Sequence, residues 1–133
     1  MTIQDRISTL WIVVLFNMAF ADIVGFVAPG AIAELMAAST DGVAFGTVEG
    51  VVITPMMLVV AGVFIEVAIV MIYLSKSLPR QANRIANFAA AVLTAVFVIG
   101  GGSLAPHYIF FASIEVAVLI VIVAFSWGWT DDA

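Results

Sequence analysis

Three acidic residues lie inside long apolar stretches of the chain, where ionisable side chains are rare: Asp22, Glu66 and Glu115. Near the centre of a membrane helix, an acidic side chain costs roughly 2.5–3.5 kcal/mol on insertion scales. Protonating a glutamic acid at pH 7 costs a comparable ~3.7 kcal/mol. Such residues usually face a protein interior or a hydrated cavity and belong to proton pathways, ion pathways or ligand sites. These three residues are therefore the first candidates for function.

The depths of the polar residues, counted at about 1.5 Å per helical residue, predict two layers. Asn17 and Glu66 each lie ~13 Å from the inner ends of their predicted helices. Asp22 lies ~21 Å and Glu115 ~18 Å from the same side, which predicts a second layer nearer the outside. His107 lies ~12 Å beyond Glu115, at the outer end of the last helix. We expect the acids to turn towards the interior, with Asp22 near Glu115.

No lysine or arginine shares the depth of the three acids. The acids are therefore protonated and hydrogen-bonded, or they are compensated by a cavity, a cation, a cationic ligand or a second protein chain. A shared proton between Asp22 and Glu115 could serve proton transfer, and it could equally serve only to hold two helices together. We interpret Asn17 with Glu66 as a structural contact and His107 as an interfacial residue.

The remaining chemistry is limited by residue type. The chain has one histidine and no cysteine, which excludes His-rich haem or zinc sites and thiolate metal sites. The six methionines are scattered and are interpreted as packing residues. We therefore predict no metal site, and the sequence identifies no cofactor.

The composition indicates a membrane protein. Of the 133 residues, 65% are hydrophobic and 10% are charged, and the mean hydropathy is +1.26. A soluble domain carries roughly 25% charged residues, so this chain has too little polar surface to coat a soluble globule. The net charge is −5, and four lysines and arginines cannot build a surface that binds nucleic acid.

The sequence predicts an all-α fold, an integral membrane four-helix bundle formed by one domain. A hydrocarbon core of about 30 Å needs about 20 helical residues. Four stretches qualify, at residues 8–28, 51–75, 85–101 and 107–127, with an outer segment at residues 29–50. Pro29 and Gly30 are expected to end the first span. Within the outer segment, "AIAELMAAS" predicts a short helix on the membrane surface.

All the basic residues fall on one side of this arrangement: Arg6, Lys76, Arg80 and Arg84. The positive-inside rule then predicts cytoplasmic N- and C-termini. We interpret these residues as topology anchors, with the arginines facing anionic lipid headgroups, and Asn83 as a cap of the third membrane helix. The three tryptophans are expected at the inner membrane interface: Trp11, Trp127 and Trp129.

Three strings of the sequence resemble an uncharacterised bacterial family of four-helix membrane proteins: "FADIVGFVAPG", "YLSKSLPRQANRIAN" and "YIFFASIEV". The resemblance covers most of the chain and does not include Glu66. The general layout is also similar to DoxX-like tetraspan proteins. The resemblance implies a multi-pass protein of the bacterial inner membrane, and it supplies no activity. Its recognisable positions are Asp22, Pro29, Gly30, Pro79, Asn83, Arg84, Tyr108 and Glu115.

Three functions are compatible with these residues. The first is a binding or accessory module for a lipid, a lipophilic small molecule or a partner membrane protein, with the buried acids as its polar contacts. The second is a transporter or channel for protons or cations, which would require a homo-oligomer to form a pathway. The third is an intramembrane enzyme of the lipid isomerase type, in which two carboxyl groups act as acid and base. No catalytic motif supports the third.

Overall fold

The computed structural model describes residues 1–38, 46–48, 51–53, 55–101 and 105–130. These residues form five helices and one short antiparallel hairpin. The helices are α1 (Ile3–Val27), α2 (Ala31–Ala38), α3 (Pro55–Ser77), α4 (Arg80–Gly100) and α5 (Pro106–Gly128). The hairpin consists of β1 (Gly46–Val48) and β2 (Val51–Ile53).

The predicted stop after the first membrane helix is confirmed. Helix α1 ends at Val27, and Gly30 adopts a φ of +85°, a conformation that glycine reaches without steric cost. The short helix predicted in the outer segment is α2. The hairpin was not predicted, and the second span was wrongly placed from residue 51, because residues 51–53 form a strand. Helix α3 begins at Pro55, since proline suits the first turn of a helix.

Helices α1, α3, α4 and α5 each have the length and apolar composition to cross a membrane. Their most apolar 18-residue windows have mean hydropathies between 1.6 and 2.6. Helices α1, α4 and α5 overlap the other three predicted spans, and α1 and α4 each start five residues earlier than expected. The all-α four-helix bundle is therefore confirmed, with the hairpin as an addition at its edge.

The surface of the bundle is apolar, as expected for a protein in lipid, and its interior contains both apolar and polar side chains. Large apolar side chains such as Phe16, Val63 and Ile120 are more than half exposed. Among the described residues, seven polar side chains are buried: Ser8, Ser75, Asn83, Asn87, Thr94, Glu115 and Ser126. Because lipid offers no hydrogen bonds, buried polar groups must find partners within the protein.

The four long helices form a closed ring in which α1 contacts α3 and α5, and α4 contacts the same two neighbours. Helices α1 and α4 therefore lie diagonally across the bundle. The core contains Ala90 and Ala91 of α4, whose small side chains let the helices approach closely. The larger core side chains are Ile7, Trp11, Val14, Met71, Leu119 and Ile122.

One end of the bundle carries Arg6, Lys76, Arg80 and Arg84, and we call it the basic end; the opposite end is the far end. Near the basic end, a group of buried polar residues that we call the asparagine cluster spans the bundle: Trp11, Ser75, Asn83 and Asn87. Trp11 Nε1 donates a hydrogen bond to Asn87 Oδ1 at 2.7 Å, across the diagonal. Ser75 Oγ donates to the same oxygen at 3.4 Å.

Asn83 completes this cluster and has a different role from the one predicted. It lies inside α4 and does not cap that helix, whose N-cap is Pro79. Its Nδ2 donates to the carbonyl oxygens of Ser75 and Leu78, so it caps the end of α3. Asn87 Nδ2 in turn donates to the backbone and side-chain oxygens of Asn83. The cluster therefore satisfies its own polar atoms and joins α1, α3 and α4.

Arg80 and Arg84 donate hydrogen bonds to protein carbonyls, which the sequence interpretation missed. Arg84 donates to the carbonyl oxygens of Ser126, Trp127 and Trp129 at 2.9–3.1 Å. Its guanidinium also lies 5.7 Å from the centre of the Trp127 ring. Arg80 donates to Trp129 O at 3.3 Å. These hydrogen bonds cap the C-terminal end of α5, whose last carbonyl oxygens have no partners within the helix.

The other residues that were predicted to anchor the bundle at the membrane interface have different surroundings. Lys76 forms an ion pair with Asp5 at 3.6 Å, and both side chains remain substantially exposed. Such an exposed pair stabilises a protein by at most about 1 kcal/mol. Arg6 is exposed, and its role as a headgroup anchor stays a prediction. Trp11 was wrongly assigned to the membrane interface, because its indole is completely buried, whereas Trp127 is about half exposed.

The asparagine cluster predicts a specific stability defect. Asn87→Ala removes the acceptor of Trp11 and Ser75, so we expect the free energy of unfolding to fall by about 1–3 kcal/mol. Denaturation in mixed micelles, followed by tryptophan fluorescence, measures the loss. Asn17→Ala is the matched control, because the Asn17 amide donates only to Val13 O of its own helix, and it should change stability by no more than about 0.5 kcal/mol. Equal losses in both variants would contradict the assigned role of Asn87.

Candidate functional site

Glu115 and Thr94 are the two described residues with buried side-chain oxygens that lack a hydrogen-bond partner. Glu115 is 3% exposed and its Oε1 is unpaired, and Thr94 is 0% exposed and its Oγ1 is unpaired. A buried polar atom without a partner costs about 1–3 kcal/mol. Native proteins rarely keep such atoms without a reason, which is often a functional one.

These two oxygens belong to neighbouring helices at the same depth. The hydrogen bond from Arg84 Nε to Ser126 O, at 3.1 Å, fixes the register of α4 against α5. Thr94 lies ten residues beyond Arg84, which is about 15 Å along the axis. Glu115 lies eleven residues before Ser126, which is about 16 Å along the antiparallel helix. Both side chains are buried in the interior of the bundle at this level.

Asp22 and Tyr108 extend this region towards the far end. Glu115 lies within electrostatic range of Asp22, and Tyr108 lies within electrostatic range of both carboxyl groups. Tyr108 donates its hydroxyl to Val98 O at 2.6 Å, which ties the start of α5 to the last turns of α4. We call Asp22, Thr94, Tyr108 and Glu115 the carboxylate cluster.

His107 lies beside this cluster, against α1. A Cβ atom built on Gly25 would lie 3.6 Å from His107 Nε2, which is van der Waals contact. Gly25 follows Asp22 by three residues, so the imidazole sits about one helical turn from the Asp22 backbone. The histidine is half-buried at this position, and its interfacial role stays a prediction.

A groove between α1 and α3 leads to Asp22. It has a volume of about 510 Å³, and Asp22 is its one ionisable lining residue within the described chain. The other lining residues are Ile12, Leu15, Phe16, Met18, Ala19, Ile65 and Ile69. Ile12, Phe16 and Ile69 are 38–59% exposed, so the groove opens sideways towards the surrounding lipid. Ligand pockets typically have volumes of about 300–1,000 Å³ and few polar groups.

The expected inward orientation of the acids is confirmed for Glu115 alone. Asp22 is exposed at the groove, although it lies near Glu115 as expected. Glu66 is exposed on the outer face of α3, in one stripe with Val63 and Val70. An inward orientation was therefore wrong for Glu66, because the buried positions of α3 are Ala68, Met71 and Ser75.

The predicted contact between Asn17 and Glu66 is also wrong. Asn17 lines a separate groove beside Phe111 of α5, and its Nδ2 donates to Val13 O at 3.2 Å. Glu66 lies on the outward face of α3, on the other flank of α1. Similar depths along two helices therefore do not bring these side chains together.

Sequence reasoning missed Thr94 and identified Tyr108 only through the family resemblance. A threonine within an apolar helix gives no signal of its own, because its hydroxyl commonly bonds to its own helix. What distinguishes Thr94 is its missing partner, which only coordinates reveal. In the described residues, no three histidine, aspartate or glutamate side chains converge as metal ligands.

Comparison with known protein families identifies the family of this chain. A family of unknown function, DUF6326, matches residues 2–133. The chain belongs to this family. No curated protein and no solved structure matches the chain. The predicted membership of an uncharacterised family with a tetraspan layout is thus confirmed, whereas the similarity to DoxX-like proteins and the cytoplasmic placement of the termini stay predictions.

Because Asp22, Glu66 and Glu115 have different orientations, we expect a reagent that modifies carboxyl groups to react with them at different rates in membrane-reconstituted protein. A lipophilic carbodiimide reaches carboxyl groups from the acyl phase, so we expect it to modify Glu66 and Asp22 faster than the buried Glu115. Mass spectrometry of peptides from reconstituted protein measures the three rates. Glu66→Gln should remove one fast adduct and leave the other rates unchanged. Fastest modification of Glu115 would contradict its burial.

Proposed function

We propose that this protein is a membrane-embedded binding module that takes up a lipophilic molecule sideways from the bilayer into the groove between α1 and α3. The observation that carries the proposal is the placement of Asp22. An apolar groove of about 510 Å³ ends at this carboxyl group, which lies within electrostatic range of the buried Glu115. An apolar surface with one or two oriented polar groups is typical of a ligand site.

The groove suits an elongated apolar chain. Its lining on α1 runs from Ile12 to Asp22, ten residues or about 15 Å along the helix axis. The chain of a ligand would lie against Leu15, Met18 and Ala19, and its polar end would lie at Asp22. Methionine adapts its shape to irregular ligands, which favours a site of this composition.

Transport of protons or cations is the second candidate. It is favoured by the line of ionisable groups that leads from Glu115 through Asp22 towards His107 at the far end. However, the half of the bundle near the basic end is filled by completely buried side chains such as Trp11 and Ile122. An ion path along the bundle axis would have to displace these core residues, so binding is the better supported function.

Filling the groove should abolish binding without disturbing the core. Ala19 lines the groove and is exposed, so Ala19→Phe occupies space that the ligand would use. We expect a loss of about tenfold or more in retained lipophilic ligand, equivalent to about 1.4 kcal/mol. Native mass spectrometry of protein released from nanodiscs measures the retention.

The matched control is Ala89→Phe, which adds the same side chain to an exposed position of α4 away from the groove. It should retain as much ligand as the wild type. Equal retention in Ala19→Phe would show that the groove does not bind the molecule and would overturn the proposal.

Proton conduction has a separate test. Proteoliposomes loaded with a pH-sensitive dye should show no protein-dependent proton flux, because the buried core near the basic end blocks an axial path. Asp22→Asn and Glu115→Gln should behave like the wild type in this assay. A flux that disappears in either variant would instead establish the second candidate.

A further inference from the structure

The carboxylate cluster specifies the chemistry of the ligand's polar end, and this inference rests on the proposed binding function. We propose that the ligand is a lipophilic amine, whose ammonium group is held by Asp22, Glu115 and Thr94. The hydrocarbon part of such a molecule would occupy the groove between α1 and α3.

Charge is the first reason. At the level of the cluster, the described chain presents the carboxyl groups of Asp22 and Glu115, and its lysines and arginines lie at the basic end. The cluster is therefore acidic, with no lysine or arginine beside it, and the basic side chain that lies nearby is that of His107, against Gly25. An anionic head group such as a carboxylate would be repelled, whereas an ammonium group would supply the missing positive charge.

Hydrogen bonding is the second reason. Glu115 Oε1 and Thr94 Oγ1 are buried without partners, and each can accept a hydrogen bond. Tyr108 does not supply a donor, because its hydroxyl proton already bonds to Val98 O. The Thr94 hydroxyl carries one donor of its own, and a ligand with several N–H donors would satisfy the remaining acceptors. An ammonium group carries three N–H donors, which matches the three acceptors offered by Asp22, Glu115 and Thr94.

The path to these acceptors is the third reason. Asp22 is the point at which the groove meets the cluster, since it lines the groove and also lies within electrostatic range of Glu115. A head group that enters along Leu15 and Met18 reaches Asp22 first. From there, Glu115 and Thr94 lie deeper, at a common depth in the bundle.

The test compares three probes with the same twelve-carbon chain and different head groups: dodecylamine, dodecanol and dodecanoic acid. Binding is measured by native mass spectrometry and by calorimetry, with full-length protein in phosphatidylcholine nanodiscs and empty nanodiscs as the blank. We expect dodecylamine to bind about tenfold or more tighter than dodecanol, since charge-assisted hydrogen bonds contribute more than neutral ones. Dodecanoic acid should bind most weakly.

Two variants test whether Glu115 and Thr94 bind the head group of the ligand. Glu115→Gln keeps the shape and removes the charge, and Thr94→Val removes the hydroxyl, so each should reduce the preference for the amine over the alcohol. The matched controls are Glu66→Gln, an outward-facing acid, and Thr9→Val, an exposed threonine that donates to Asp5 O. Both controls should keep the wild-type preference, and Thr94→Ser should retain it as well.

The possible results separate the two proposals. Equal affinities for all three probes, each lost in Ala19→Phe, would overturn the amine proposal and leave the binding function intact. Absence of binding by any probe would overturn both. An amine preference that depends on Asp22 but survives Glu115→Gln and Thr94→Val would overturn the assignment of the deeper acceptors. The wild-type ranking requires no variant, so a variant that fails to fold does not remove the test.

Discussion

The hydrogen bond from Trp11 Nε1 to Asn87 Oδ1 is the contact on which the bundle depends. Helices in lipid gain little from burying apolar side chains against one another, because the acyl chains are equally apolar. Directional polar contacts and close packing must therefore set their arrangement. This hydrogen bond joins diagonal helices, and Ser75 and Asn83 extend it to α3. A rotation of any of these helices would leave a buried polar atom unpaired, so the cluster fixes which face of each helix points inwards.

The bundle has two halves, which differ in whether their buried polar atoms have hydrogen-bond partners. Near the basic end, the asparagine cluster satisfies its own donors and acceptors, and Arg84 satisfies the last carbonyls of α5. Beyond it, the carboxylate cluster contains acids with no lysine or arginine beside them and two buried oxygens without partners. A satisfied network rigidifies a bundle, whereas an unsatisfied one is costly unless something completes it. The first half therefore holds the helices in the register that brings Glu115 and Thr94 to a common depth.

The sequence predicts the four long helices, but not the face of a helix on which a residue lies. Hydropathy identified four spans, and Pro29 with Gly30 marked the end of α1, because membrane length and proline geometry act locally. The direction of a side chain depends on helix rotation. In α3, apolar residues occur on all sides, so periodicity could not show that Glu66 faces outwards while Ala68 faces the core. Trp11, the hydrogen-bond partner of Asn87, is likewise 76 residues away on α1, and no local sequence pattern indicates this contact.

The geometry of access favours the proposed binding module over a conduit. A conduit needs polar groups or water along the whole bundle axis, but here the axis near the basic end is occupied by Trp11 and Ile122, which are completely buried. The groove instead enters from the side, between α1 and α3, and stops at Asp22. A molecule that arrives this way comes from the bilayer with its apolar chain first in contact with apolar walls. In the proposed binding function, the polar end of this molecule would then meet the carboxylate cluster without crossing the membrane, which fits a groove that is open at the side and a core that is filled near the basic end.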